Sequence, residues 1–318
     1  MEVLSNIASG RAHGKIILIG EHAVVHNEPA IAIPFTSANV EVTIEKLYGE
    51  TTVESIYHTG RIKDAPIELN NLIETLKAVC DYFETSTENL HITIHSDIPA
   101  ERGMGSSAAV ATALVRALFR TFETELTDEL LYQFVSISEN IAHGNPSGLD
   151  AKVVSSTDSI FYVKNKNANF FQMDLPGYLV VADTGQKGAT GEAVTDVGRL
   201  VADRKTGAKQ LISELGDLAN QARRFIETKT LERLGETLDQ AQENLKQLTV
   251  SNETLDALIR TAKENGALGA KLTGGGRGGC MIALVKKSDD AQKLTEAFKD
   301  AGASKTWIHP LGENINGN

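Results

Sequence analysis

Five glycines occupy six positions from Gly274 to Gly279, in "KLTGGGRGGCMIAL" (271–284), and Arg277 is the sole interruption. Glycine loses more backbone freedom on folding than any other residue, so a cluster this dense is costly unless main chain must approach something closely. It points to a ligand. A second glycine turn stands earlier, in "ERGMGSSAAVA" (Glu101 to Ala111), and passes straight into small helix-forming residues. Unpaired amides and the positive end of that helix would face an anion, with Ser106 and Ser107 as its caps. Taken alone, the stretch also reads as a tight turn with a good N-cap.

Familiar phosphate loops fail against this chain. A Walker A loop needs G-x-x-x-x-G-K-[ST], and the nearest approach, "GRAHGKI" (10–16), is one residue short and ends in Ile. Gly103, Gly105 and Ala108 fit the dinucleotide pattern G-x-G-x-x-A, and Glu123 follows. That acid sits in or just past the same helix, however, instead of ending a second strand. The protein-kinase signatures H-R-D, D-F-G and A-P-E are absent.

The 318 residues suggest about two domains, and 41% hydrophobic content supplies a substantial core. A net charge of -11 argues against a nucleic-acid or anionic-membrane surface, so an anionic ligand must be met by local amides and a few cations. Cys80 and Cys280 are the only cysteines and form no disulfide framework or zinc spacing, which suits a reducing cytoplasm. The start lacks a signal-peptide core, and the uncharged run Gly103–Val115 is too short for a bilayer.

Strands are expected at 15–20, 39–47, 90–96, 159–163, 178–183, 279–285 and in "SKTWIHP" near the end. Helices are expected over Leu69–Phe83, Ser106–Arg120, 128–143, Leu231–Leu248, Leu255–Ala262 and "DDAQKLTEAFKDAG". Polar "KNKNAN" (164–169) and "LPG" (175–177) bracket the expected boundary, giving domains 1–170 and 171–318. Strands paired first, then helices and strands mixed, indicate two α+β domains.

Three blocks in order, "GEHAVVH", "GMGSSAA" and "LTGGGRGG", resemble the GHMP kinases, the superfamily of galactokinase, homoserine kinase, mevalonate kinase and phosphomevalonate kinase. Within it, "KIILIGEHAVVH" joined to "ENIAHGNPSGLD" (139–150) is similar to the mevalonate kinases. The resemblance implies an N-terminal domain like ribosomal protein S5 domain 2 and a ferredoxin-like C-terminal domain, with ATP and substrate in the cleft between them. Two departures carry charge: Arg102 and Arg277 stand where family members commonly have small residues.

Carried onto matching positions, the resemblance implies that ATP is held by Arg102, Gly103, Met104, Gly105, Ser106, Ser107 and Ala108, with Gly274, Gly275, Gly276 and Arg277. Ser107 and Glu139 match the family's Mg²⁺ ligands, and hard oxygens suit that ion. Asp150 matches the catalytic carboxylate that takes the hydroxyl proton, and Lys15 the lysine that pairs with it. Glu21, His22 and Thr190 would line the substrate site, with His22 donating to a carboxylate such as that of mevalonate. The reaction implied is ATP-dependent phosphorylation of mevalonate. Phosphomevalonate kinase is one alternative, and a catalytically silent ligand sensor on the same fold is another. Expected partners are the small-molecule substrate and, as an open option, a second copy in a homodimer, with no nucleic acid and no membrane.

Overall fold

The structure is a computed structural model that describes residues 7–143, 148–203 and 205–312. Two compact units emerge, interleaved along the chain. The first comprises the described residues up to Gly14 with 38–99 and 105–157; the second comprises 15–37, 100–104 and the described residues from 158. Strands β1 (Ile7–Ile19) and β2 (Ala30–Lys46) each run from one unit into the other. The cut expected at 170/171 is therefore not how the chain clusters in space. Burial along β2 registers the passage: residues 30–35 are all buried, whereas exposure alternates from Ala38 onward.

In the first unit, β2 pairs antiparallel with β5 (Leu90–Ser96), in a register that sets Val42 against Ile94. Strand β3 (Thr52–Glu54) lies parallel to β5 and pairs antiparallel with β4 (Thr59–Arg61). Helices α1 (Asn70–Tyr82), α2 (Ser106–Thr121), α3 (Asp128–His143) and α4 (Leu149–Ser155) pack on one another. Helix α2 is almost wholly buried, as its Ala, Val and Leu content predicts. Its N-cap is Gly105, in the left-handed conformation and with no side chain to offer. Ser106 and Ser107 are therefore its first helical residues and not the caps expected of them.

In the second unit, β2 pairs with β6 (Ser159–Tyr162), which pairs with β7 (Asn169–Phe171). The rest builds a separate antiparallel sheet from β8 (Tyr178–Asp183), β9 (Gly269–Thr273), β10 (Cys280–Val285) and β11 (Lys305–Pro310). Its spatial order is β11-β8-β10-β9, fourth-first-third-second in sequence, with helices in the crossovers. That is the ferredoxin-like layout the resemblance implies. Strands β8, β9 and β10 are buried at every position and read as largely apolar runs, with Lys271 in β9 and Asp183 at the end of β8 as the charged exceptions.

Helices α5 (Thr190–Ala202), α6 (Ala208–Glu227), α7 (Leu231–Gln247), α8 (Glu253–Glu264) and α9 (Ser288–Asp300) complete this unit. No element is expected over 190–227 from the sequence, although Ile212, Leu215, Ala219, Ala222 and Ile226 are buried at helical spacing along α6. Among the described residues no helix is long and apolar enough to cross a membrane. Cys80 and Cys280 are buried free thiols.

Candidate functional site

Within the second unit the two glycine loops come together backbone against backbone. A side chain at Gly274 would place its Cβ 2.8 Å from the Gly103 Cα, and one at Gly103 would sit 3.1 Å from the Gly274 Cα. Both have positive φ, 83° and 78°, which only glycine adopts without strain. Sequence reasoning treats these loops as two separate pieces, more than 160 positions apart. The fold packs them together main chain on main chain, with Gly274, Gly275 and Gly276 buried. Thr190, at the start of α5, lies against Gly275.

Strand β1 delivers the next group. Lys15 is buried, and its amide donates to the Met104 carbonyl at 2.9 Å, which fixes the strand to the first glycine loop. The Thr273 hydroxyl donates to the Ile17 carbonyl at 2.9 Å and accepts from the Ile17 amide at 3.1 Å, joining β1 to the second loop. Glu21 and His22 follow in the turn after β1 and are buried to 1% and 4% exposure. Charges are this deeply buried only when compensated. Lys271, fully buried, donates to Glu21 Oε1 and to the Leu272 carbonyl, the latter at 2.6 Å. Burial pushes the Glu21 carboxyl up and the Lys271 ammonium down, each opposed by the charge of the other, and Lys15 further stabilises the Glu21 charge. Lys271, as the buried partner of Glu21, is not among the residues expected from the sequence. Its signal was a lone lysine inside an otherwise apolar strand beside the glycine cluster.

His22 has φ 61° and ψ -42°, a sparsely populated conformation for a non-glycine residue, costing on the order of 1–3 kcal/mol. Its Nε2 lies 3.0 Å from the Gly275 carbonyl oxygen. A carbonyl only accepts, so Nε2 carries the proton. Burial, partly countered by that hydrogen bond, pushes the imidazole down to about 4, so the ring is neutral at pH 7. Nδ1 therefore keeps its lone pair and has no partner, as is also true of Glu21 Oε2. In this tautomer Nδ1 can only accept, which does not match the donor role expected of His22 toward a carboxylate.

Both loop arginines are engaged by protein oxygens. Arg102 Nε donates to Asp183 Oδ1 at 3.0 Å, and its Nη2 to the Gly185 carbonyl at 3.0 Å. Arg277 Nη1 donates to Asp196 Oδ2 at 2.6 Å, and its Nε to the Thr249 carbonyl at 3.2 Å.

The first unit holds the remaining predicted residues. Ser107 Oγ accepts from Asn71 Nδ2 at 2.8 Å and lies 3.4 Å from Ser138 Oγ; Glu139, next in α3, is buried. Gly105, Ser106 and Ala108 form the opening turn of α2, whose first amides lack intrahelical partners. Asp150 is in the first turn of α4, which packs on α3. Residues 144–147 of "GNPSGLD" lie outside the described residues. A hydroxyl and a carboxylate are hard oxygen donors of the kind Mg²⁺ takes, a few from protein and the rest from phosphate and water. Among the described residues no group of three His, Cys, Asp or Glu side chains converges as a metal site, so only such a partial ligand set fits. The recess of about 400 Å³ lined by Arg11, Glu41, His95 and Asp97 contains none of the predicted residues.

The chain matches two family models, "GHMP kinases N terminal domain" over residues 70–156 and "GHMP kinases C terminal" over 209–304. It is 32% identical to a mevalonate kinase of Thermococcus gammatolerans over 90% of this chain and 92% of that protein. Among solved structures, mevalonate kinase of methicillin-resistant Staphylococcus aureus is 35% identical, with a TM-score of 0.74 over 96% of this chain and 99% of that one. The L. major mevalonate kinase in complex with R-mevalonate is 27% identical, with a TM-score of 0.83 over 98% of each chain.

Proposed function

This chain belongs to the mevalonate kinases of the GHMP kinase family, and from that premise we infer that its site transfers the γ-phosphoryl group of ATP to the primary alcohol of mevalonate. The observation that carries the reading is the meeting of the two glycine loops at Gly103 and Gly274, beside buried Lys15, Glu21 and His22. Phosphoryl transfer asks for positioning and charge neutralisation more than for covalent chemistry, and amide-rich backbone next to fixed polar groups supplies both.

In this reading Gly103 to Ala108 and Gly274 to Gly276 bind nucleotide phosphates through main-chain amides. Ser107 and Glu139 would hold Mg²⁺, which when bound neutralises charge on the phosphates. Glu21 Oε2 and His22 Nδ1 accept from substrate hydroxyls and orient the alcohol. Asp150 takes or polarises the proton of the attacking hydroxyl, and Lys15 supplies positive charge for the transferring phosphoryl group. Division at 170/171 into N- and C-terminal family domains belongs to the same proposal, supported by family matches on either side of it. So does residence in the cytoplasm, supported by two buried free thiols.

The test is a coupled ADP-release assay with Mg-ATP on mevalonate, phosphomevalonate, galactose and homoserine. Mevalonate alone is expected to turn over rapidly. Preference for phosphomevalonate or a sugar would overturn the substrate while leaving the fold intact, and no turnover on any of them would favour the silent sensor.

A further inference from the structure

Arg102 and Arg277 are the arginines of the two glycine loops. Each forms an ion pair with an aspartate, Arg102 with Asp183 at the end of β8 and Arg277 with Asp196 on α5. These aspartates bracket a single segment, residues 184–195, which carries Thr190. Four further links run the same way. The Gly188 amide donates to the Glu101 carbonyl at 2.8 Å, and Lys187 pairs with Glu101 at 2.6 Å. Thr184 Oγ1 donates to the Gly279 carbonyl at 2.7 Å, and the Gly279 amide to the Gln186 carbonyl at 2.8 Å.

Thr184 and Ala193 are buried near the two ends of this segment, but burial does not hold the stretch between them. Residues 185–187 are exposed, 188–190 are half-buried, and no residue from Gly185 to Glu192 is buried. A stretch held by few apolar contacts opens at low cost, so its polar ties set its position. The Arg102–Asp183 pair is the more buried, with side-chain exposures of 15% and 5%; Arg277–Asp196 is the more exposed, at 26% and 38%. A guanidinium already satisfied by a carboxylate offers less to a phosphate than a free one.

We propose that Arg102 and Arg277 are matched positioning residues that clamp segment 184–195 onto the glycine loops, fixing Thr190 for the alcohol substrate instead of contacting ATP phosphates. The role of Thr190 rests on the function proposed above; the clamp itself does not.

The experiment compares Arg277→Gly, the charge-swapped pair Arg277→Asp with Asp196→Arg, and Arg102→Lys. Lysine is chosen at 102 because removing the charge would strand the buried Asp183 carboxylate. Hydrogen exchange of 184–195, which needs no substrate, is expected to speed up about tenfold or more in Arg277→Gly, with melting of the whole protein little changed. Mevalonate KM should rise roughly five- to fiftyfold while ATP KM stays within about twofold, and the swapped pair should recover most of both effects. Arg102→Lys keeps the charge but loses the fork to Gly185, and should show the same split in weaker form. Unchanged exchange, a rise in ATP KM instead, or no recovery in the swapped pair would each overturn the clamp. A wild-type protein inactive on mevalonate would remove the function proposed above, and the exchange result would still decide the clamp.

Discussion

His22 Nε2 hydrogen-bonds the Gly275 carbonyl oxygen at 3.0 Å, so the turn after β1 and the second glycine loop hold each other in place through one neutral imidazole. That ring carries a pH signature. Its folded-state pKa, about 4, lies below the ordinary 6.5, so between those values the unfolded chain binds a proton that the folded one refuses. The stabilisation is full above about pH 6.5 and is lost as pH falls toward 4, by about 3 kcal/mol at most. Urea midpoints measured from pH 7 to pH 4.5 should fall more steeply in wild type than in His22→Asn. His26, also lowered by burial, leaves a residual slope. Equal slopes in the two proteins would place the His22 ring in solvent.

Lys271 and Glu21 are a pair that can be removed together far more cheaply than singly. Lys271→Met leaves a buried carboxylate with only Lys15 nearby, and is expected to cost about 3–5 kcal/mol. Lys271→Met with Glu21→Gln removes both charges and should cost markedly less than the sum of the two single changes. Denaturant unfolding of the four proteins gives the coupling directly. Additive losses would mean that the two side chains do not compensate each other.

What could be read from the chain was whatever repeats locally. Strand β5 and helix α3 match their expected limits residue for residue, because alternation in "LHITIHS" and helical spacing over 128–143 are each complete within the segment. Strand β2 was half legible. From Asn39 it alternates, but "AIAIPF" before it is buried on both faces and contains Pro34, so it shows no period at all. The interleaving of the units was not legible either, since it depends on which unit each half of a strand joins. At the site, glycine density marked both loops. Nothing local could show that Gly103 would meet Gly274, that Lys271 would neutralise Glu21, or that both loop arginines would find aspartates.

Glu139→Gln should raise the Mg²⁺ concentration needed for half-maximal rate, with partial rescue at high Mg²⁺. Removing an anionic oxygen weakens a hard-cation site while keeping the shape of a buried side chain. Ser107→Ala should act in the same direction and more weakly, because a neutral hydroxyl is the poorer ligand. An unchanged Mg²⁺ titration in Glu139→Gln would remove it from the ligand set.

Asp150→Asn separates chemistry from binding. Asp150 stands in the first turn of α4, where an amide substitutes for a carboxylate with little change of shape, and the lost charge at a helix N-terminus costs about 0.3–1 kcal/mol of stability. The protein should therefore fold and melt close to wild type. The amide still accepts a hydrogen bond from the alcohol, so mevalonate affinity by calorimetry should change little. It cannot take the proton or balance the charge that develops as the hydroxyl attacks, so kcat should fall by roughly 10²–10⁴, the usual worth of a positioned acid–base group. Single-turnover kinetics on the same preparation isolates the chemical step from product release. Turnover within tenfold of wild type would take Asp150 out of the reaction; lost binding with an intact chemical rate would make it a clamp on the substrate.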